Sequence, residues 1–490
     1  MQLFFRRTVP FFLLSLGLFP ALWGCASAPA ALSPGDAPAP SVQLMATREP
    51  EATPLPQATP TAQPVLKYVF LLIGDGMGPN QVSITNQALA AQGEQPLSFT
   101  DFPVQGELIT NNVLGKTTDS AAAATAMATG TKTGNTILGQ DPDGVRLTTV
   151  AETLRDRGMK IGVLTTVSLD HATPAGFYAH TEKRTNYEDI TGCLFISGFD
   201  YFAGGGFHGD TDLTAPAKTN GYALTVGEAE ADGAPAGKLI SIGSSLKGDK
   251  GLQMAADAGV DGREGLLARN LRRGIDRLDG DSGFFIMTEG GRIDVACHYH
   301  DAGDMYREVL DFDRAVREAV AFYQAHPAET LLLVTADHET GDMQLTSGDP
   351  RVLAKQTVSC DLFDETSVPA FRAAKTPFET ALPDIVSAFG LERLTAEETA
   401  YLKTAYRHTI LDNLTGKELA EKYGSYEAVT SAAANLVAQR AGMAFLSDGH
   451  TGSNVTVYAM GPGAEQFSGI HENTFVHDGI LAALDAYGAQ

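Results

Sequence analysis

The sequence predicts an α/β protein: a mostly parallel sheet covered by helices on both faces. Four continuous apolar runs supply strands, and each leads into an acidic or glycine-rich turn. Segments of helical pattern lie between them, among them T-T-V-A-E-T-L-R-D-R (148–157) and D-M-Y-R-E-V-L-D-F-D-R-A-V-R-E-A-V-A-F-Y (304–323). The chain has 490 residues and 51 glycines, which fits a globular protein of one or two domains with a large core.

The first run, V-L-K-Y-V-F-L-L-I (65–73), enters G-D-G-M-G. The second, M-K-I-G-V-L-T-T (159–166), leads to S-L-D-H-A-T-P. The third, S-G-F-F-I-M-T (282–288), leads to E-G-G-R-I-D, and the fourth, T-L-L-L-V-T (330–335), to A-D-H-E-T-G. Runs apolar throughout suit strands buried on both faces, and their alternation with helices implies a parallel sheet. Acids at the C-terminal ends of such strands stand where α/β sheets place their chemistry. Residues 361–443 break the rhythm. E-R-L-T-A-E-E-T-A-Y-L-K-T-A-Y and T-G-K-E-L-A-E-K-Y read as polar-faced helices with T-x-x-E starts. The segment is expected to be a helical insertion over the sheet. D-G-H-T-G-S-N-V-T-V-Y-A-M-G (448–461) reads as a turn and a strand, and H-D-G-I-L-A-A-L-D-A-Y (477–487) as a final helix.

Arg6 and Arg7 precede an apolar run, 9–24, too short to cross a membrane, so residues 1–25 read as a signal peptide. L-W-G-C (22–25) resembles a bacterial lipobox, whose cysteine, here Cys25, becomes lipidated after cleavage. The competing reading is cleavage at the A-x-A site 26–28, which releases a soluble periplasmic or secreted protein. The lipid-anchored envelope protein is preferred. Residues 26–64, rich in Pro, Ala, Thr and Ser, cannot bury a core and read as a tether to a folded domain spanning 65–490. Cys193, Cys297 and Cys360 are far apart with no C-x-x-C pair, which argues against a thiolate zinc site and leaves their pairing open. A formal charge of -24 argues against nucleic acid as a main partner. A small phosphate substrate is compatible with it, because bound metal ions invert the local field.

Asp75, Glu289, Asp294, His298, Asp337, His338 and His450 all fall at or near ends of expected strands. Mixed carboxylates and imidazoles suit Zn²⁺. Asp294 and His298, four apart, share a face if their segment is helical. Each of these residues alone reads as a turn or surface group; their joint occurrence at four strand ends points to a site. In T-T-D-S-A-A-A-A-T-A-M-A-T-G (117–130), Ser120 opens a run of small residues. Two readings stand: an ordinary helix start, or a nucleophile held over a metal site.

I-G-D-G-M-G, T-T-D-S-A-A-A-A-T-A, E-G-G-R-I-D-x-x-x-H, T-A-D-H-E-T-G and G-H-T-G occur in the order seen in alkaline phosphatases. On these five motifs the chain resembles that family from residue 65 to its C-terminus. The resemblance implies a doubly wound α/β fold, two zinc ions, one magnesium ion, and hydrolysis of phosphate monoesters through a phosphoserine. It assigns Asp294, His298 and His450 to the first zinc, and Asp75, Asp337, His338 and the Ser120 oxygen to the second. Asp75 would also reach the magnesium, with Thr173 and Glu289. Arg184 would clamp the phosphate, which a guanidinium can grip bidentately. A serine needs activation, which coordination to zinc would supply, and a helix beginning at Ser120 would add a positive dipole end. The alanines would let that helix pack closely under the metals.

His171 stands where many bacterial members carry Asp, so it would touch the third metal or its waters and leaves that metal's identity open. Val295 removes a polar contact toward phosphate that the best-known members have. Thr340 replaces a histidine that some members use to orient the first-zinc aspartate. His180, His300, His471 and His477 are expected to be structural or surface residues, and Cys297 a packed thiol. His208 lies in the glycine-rich A-G-G-G-F-H-G, which lacks a P-loop's G-K-[ST]. No recognition pocket is visible, so broad specificity is expected from the family; a homodimer is possible. The competing functions are a phosphodiesterase or sulfatase of the same superfamily, and a catalytically silent surface protein that binds metal or phosphate.

Overall fold

A computed structural model describes residues 65–208, 212–257, 263–410 and 426–488. The expected signal peptide and tether lie outside them. Ten strands form the main sheet: β1 (Tyr68–Ile73), β2 (Val104–Ile109), β3 (Lys160–Thr165), β4 (Tyr201–Gly204), β5 (Tyr222–Val226), β6 (Lys238–Ile242), β7 (Phe284–Glu289), β8 (Thr330–Thr335), β9 (Val455–Met460) and β10 (Gly469–Glu472). Their spatial order is β10-β2-β9-β8-β1-β7-β3-β4-β6-β5. Only β9 runs against its neighbours β2 and β8; the other pairings are parallel.

The four apolar runs become β1, β3, β7 and β8, adjacent in the middle of the sheet. Every residue of β1, β7 and β8 is buried, as a strand sandwiched between helix layers requires. Their register sets the site. Ile73 pairs with Glu289 and with Thr335, and Glu289 pairs with Thr165. The four strands therefore end level, and the turns that follow them share one edge of the sheet.

Helix Ser120–Thr129 stands against this edge, with Asp119 as its N-cap accepting from the Ala122 N–H. All ten of its residues are buried. A Cβ on Gly176 would lie 2.6 Å from the Ala124 methyl, so the alanines do allow close approach to the segment after β3.

Where the rhythm breaks, the described residues form helices Cys360–Ala374, Phe378–Phe389, Ala396–Ile410 and Ala428–Ala441. They carry a core of their own around Phe363, Phe371, Phe389 and Tyr406. Ala428–Ala441 packs on the long helix Ala302–Ala325. The expected final helix runs Phe475–Tyr487. No helix among the described residues is long and apolar enough to cross a membrane. Cys193, Cys297 and Cys360 are free thiols.

Candidate metal centre

The turn after β1 brings Asp75 to the sheet edge. Gly76 follows it at φ +70, and a Cβ there would lie 2.7 Å from Asp294 Oδ1, so glycine is required on both conformational and steric grounds. Its N–H donates to Asp337 Oδ1 at 3.2 Å, tying the turn after β1 to the turn after β8. Short helix Arg292–His298, after β7, carries Asp294 and His298 one turn apart.

Three groups of side chains converge here, each with its candidate ligand atoms within 4.8 Å of one another: Asp75, Asp337 and His338; Asp294, His338 and His450; and Asp75, His171 and Glu289. In the first, His338 Nε2 lies 3.4 Å from Asp75 Oδ1 and 3.2 Å from Asp337 Oδ2. Ser120 Oγ is 3.3 Å from the same nitrogen. Beside the second, but outside it, His298 Nε2 is 3.1 Å from both Asp294 Oδ2 and His450 Nε2. In the third, Thr173 Oγ1 donates to Asp75 Oδ2 at 3.1 Å, and the Thr165 hydroxyl donates to Glu289.

The three ring orientations agree. Nδ1 of His298 meets the Asp448 carbonyl at 2.5 Å, Nδ1 of His450 the Thr118 carbonyl at 2.9 Å, and Nδ1 of His338 the Thr340 hydroxyl at 3.2 Å. Carbonyls only accept, so in His298 and His450 Nδ1 carries a proton and Nε2 is turned toward Asp294, the ring orientation that metal-bound histidines adopt.

Asp75 Oδ1, Asp337 Oδ2, Glu289 Oε1 and His171 Nδ1 are buried without a hydrogen-bond partner. Unpaired carboxylate oxygens in a dry interior are costly. Burial, then the charges of Asp337 and Asp294, pushes the Asp75 carboxyl well up. Burial followed by Asp75 does the same to Glu289, and burial followed by Asp294 takes Asp337 to about 8. Burial also works to raise Asp294, but its bond to His298 and the charges of the histidines hold it below the usual range. Divalent cations would satisfy the orphaned oxygens and relieve the mutual repulsion. Carboxylates with imidazoles fit Zn²⁺, and Asp75, Glu289 and the Thr173 hydroxyl fit the harder Mg²⁺.

Arg184 comes from the loop after β3. It donates to Asp119 Oδ2 at 3.2 Å through Nη1 and to His171 Nε2 at 2.9 Å through Nη2. The guanidinium has no acceptor, so His171 is neutral with its proton on Nδ1, aimed at Glu289 Oε1 3.9 Å away. Burial and the Arg184 charge push this imidazole down to about 3. His171 thus bridges the arginine to the third group.

Sequence reasoning gave no role to Asp119 or Thr165. Asp119, the residue before Ser120, is the helix cap, and its grip on Arg184 spans 65 residues and needed the fold. Thr340 differs from expectation: its hydroxyl itself donates to Asp294 Oδ1, so the orienting contact is kept by a shorter side chain. The bystander histidines are satisfied elsewhere: His180 on Gly139 and Glu152, His300 stacked on Phe445, His471 on Phe475, and His477 beside Asp478. Cys297 is buried against Gln81, its thiol pushed well up by burial.

The family model described as alkaline phosphatase matches residues 66–196 and 253–486. The chain belongs to the alkaline phosphatase family. Alkaline phosphatase 4 of Bacillus subtilis is 30% identical over 431 residues, which span 84% of this chain and 87% of the relative. The crystal structure of a cold-active alkaline phosphatase from Shewanella sp. superposes with a TM-score of 0.73 at 27% identity, covering 85% of this chain and 99% of that one. A TAB5 alkaline phosphatase variant with Mg bound in its M3 site superposes with a TM-score of 0.61 at 26% identity, covering 87% and 100%. Alkaline phosphatases act on phosphate monoesters and use metal ions, and this chain carries candidate groups to hold such ions.

Proposed function

We propose that the protein hydrolyses phosphate monoesters through a phosphoserine formed on Ser120. The observation that carries this reading is the 3.3 Å approach of Ser120 Oγ to His338 Nε2, at the N-terminus of a buried helix and beside two orphaned carboxylates. Asp294, His298 and His450 would hold one zinc ion, and Asp75, Asp337 and His338 a second. Asp75, Thr173 and Glu289 would hold magnesium, with His171 turned toward its surroundings. When bound, these ions supply Lewis-acid charge neutralisation and make hydroxyl and water oxygens nucleophilic near neutral pH.

The chain's own residues do the rest. Asp119 and His171 each engage one terminal nitrogen of the Arg184 guanidinium and fix its orientation, and its remaining N–H groups would meet two phosphoryl oxygens. The free N–H groups at the start of helix Ser120–Thr129 favour negative charge on the transferring phosphoryl group. Ser120 Oγ loses its proton and bonds to phosphorus as the ester P–O bond breaks, and the departing oxygen takes up a proton. Water then breaks the Oγ–P bond, releasing inorganic phosphate and restoring the serine. A serine nucleophile with a clamping arginine favours monoesters over the diesterase and sulfatase alternatives. We also propose export by residues 1–25, with a lipid on Cys25.

Turnover of an aryl phosphate by wild type and Ser120→Ala, with metal analysis of both, tests the reading. A loss on the order of 10⁴-fold or more is expected in the variant, with metal retained. Equal activity of the two would remove Ser120 from the chemistry.

A further inference from the structure

The residues immediately after Arg184 line a cavity of about 780 Å³, a volume suited to a small molecule. Tyr187, Phe195, His208, Leu213 and Pro216 contribute to its wall. The Tyr187 and His208 rings stack with centroids 3.8 Å apart and planes at 11°. His208 is pinned. Fully buried Asp170 meets His208 Nδ1 at 2.8 Å with one oxygen and accepts its backbone N–H at 2.8 Å with the other.

Asp170 precedes His171, which accepts from Arg184. Two hydrogen bonds and one peptide link therefore join the stacked pair to the arginine that would hold the phosphate. The Tyr187 phenol is raised by burial and then by Asp170, while the Arg184 charge opposes them, consistent with the same proximity. Thr185, directly after Arg184, also lines the cavity. The stacked pair on the cavity wall is thus tied to the arginine that would hold the phosphoryl group, and the hydrolysis of the phosphate itself leaves that pair without a task.

We infer that this cavity receives the leaving group of the phosphate monoester, and that the Tyr187–His208 pair favours leaving groups with a planar aromatic ring. The inference rests on the phosphatase reading above. A flat ring gains by stacking on a platform already fixed in place, with little ordering cost. Phe195, Leu213 and Pro216 supply apolar surface for the remainder. Glu188 and Asp189, also lining the cavity, disfavour leaving groups that carry negative charge.

The test is the ratio of kcat/KM for adenosine 5′-monophosphate to kcat/KM for glycerol 2-phosphate. Tyr187→Ala is expected to lower this ratio about tenfold, the size of one lost base–aromatic stack. Tyr187→Phe, which keeps the ring, is expected to hold it within about twofold of wild type. Free adenosine should compete with glycerol 2-phosphate on the wild-type chain, a readout that needs no variant. An unchanged ratio in Tyr187→Ala, or no competition by adenosine, overturns the inference and leaves the phosphatase reading standing. A wild-type chain that hydrolyses neither ester overturns both.

Discussion

Buried carboxylates occur both at the sheet edge and where helix Cys360–Ala374 joins the body, and the two sets are treated differently. Asp257 accepts from the Ser359 N–H and hydroxyl, each at 2.7 Å. Asp301 accepts from Gln356 at 2.7 Å and from the Cys360 N–H at 2.8 Å. Both carboxylates use both oxygens and anchor the first turn of the following helix. At the sheet edge, Asp75, Asp337 and Glu289 are equally buried, yet each keeps one oxygen without a donor. Burial alone therefore does not mark chemistry. A single unused acceptor does not either, since Asp304 in the second region also keeps one oxygen without a donor; what marks the sheet edge is that several such oxygens converge with imidazoles, an arrangement that positive charge from elsewhere would relieve.

Removing the metal should separate the two regions most strongly. Treatment with a chelator is expected to abolish turnover, and added Zn²⁺ plus Mg²⁺ to restore it. Turnover that survives chelation, with metal analysis confirming removal, would break the comparison. The effect should also depend on pH. The carboxyls of Asp75, Glu289 and Asp337 are raised in the metal-free fold, the last to about 8. They bind protons more tightly folded than unfolded. Their contribution to stability is thus full below the unfolded range near about 4 and is lost as pH rises toward about 8. The increase in Tm on adding metal should therefore grow between about pH 5.5 and about pH 8. A constant or shrinking increment would mean that protons and cations do not compete for these oxygens.

Asp257→Ala reads the other region. It strands the Ser359 donors and should cost about 2–3 kcal/mol in denaturant unfolding, with kcat of the folded protein unchanged. Asp119→Ala sharpens the site: with Arg184 released, inhibition by inorganic phosphate should weaken about tenfold, and the lost helix cap should cost about 1 kcal/mol of stability. The smallest change is expected from Thr340→Val, which deletes one donor to Asp294. A several-fold loss in metal affinity, measured by competition with a chromophoric chelator, would fit that role. No change would mean that Thr340 does not orient the ligand.

The linear chain determined the strands that matter. β1, β3, β7 and β8 are legible because a strand buried on both faces must be apolar at every position, and Asp75, Glu289 and the Asp337–His338 pair were visible as acids and imidazole terminating those runs. The helical segment was legible as a change of period, and Ser120 as a helix start. Short strands β5 and β6 were not, because five-residue segments hydrogen-bonded to neighbours carry little pattern of their own. Tertiary structure alone decided three further things: that four strands end level, that Asp119 and His171 meet the two terminal nitrogens of Arg184, and that Tyr187 stacks on His208. Each depends on distances between segments separated by tens to hundreds of residues. Local pattern records which face of an element is buried; it does not record which distant side chain arrives against it.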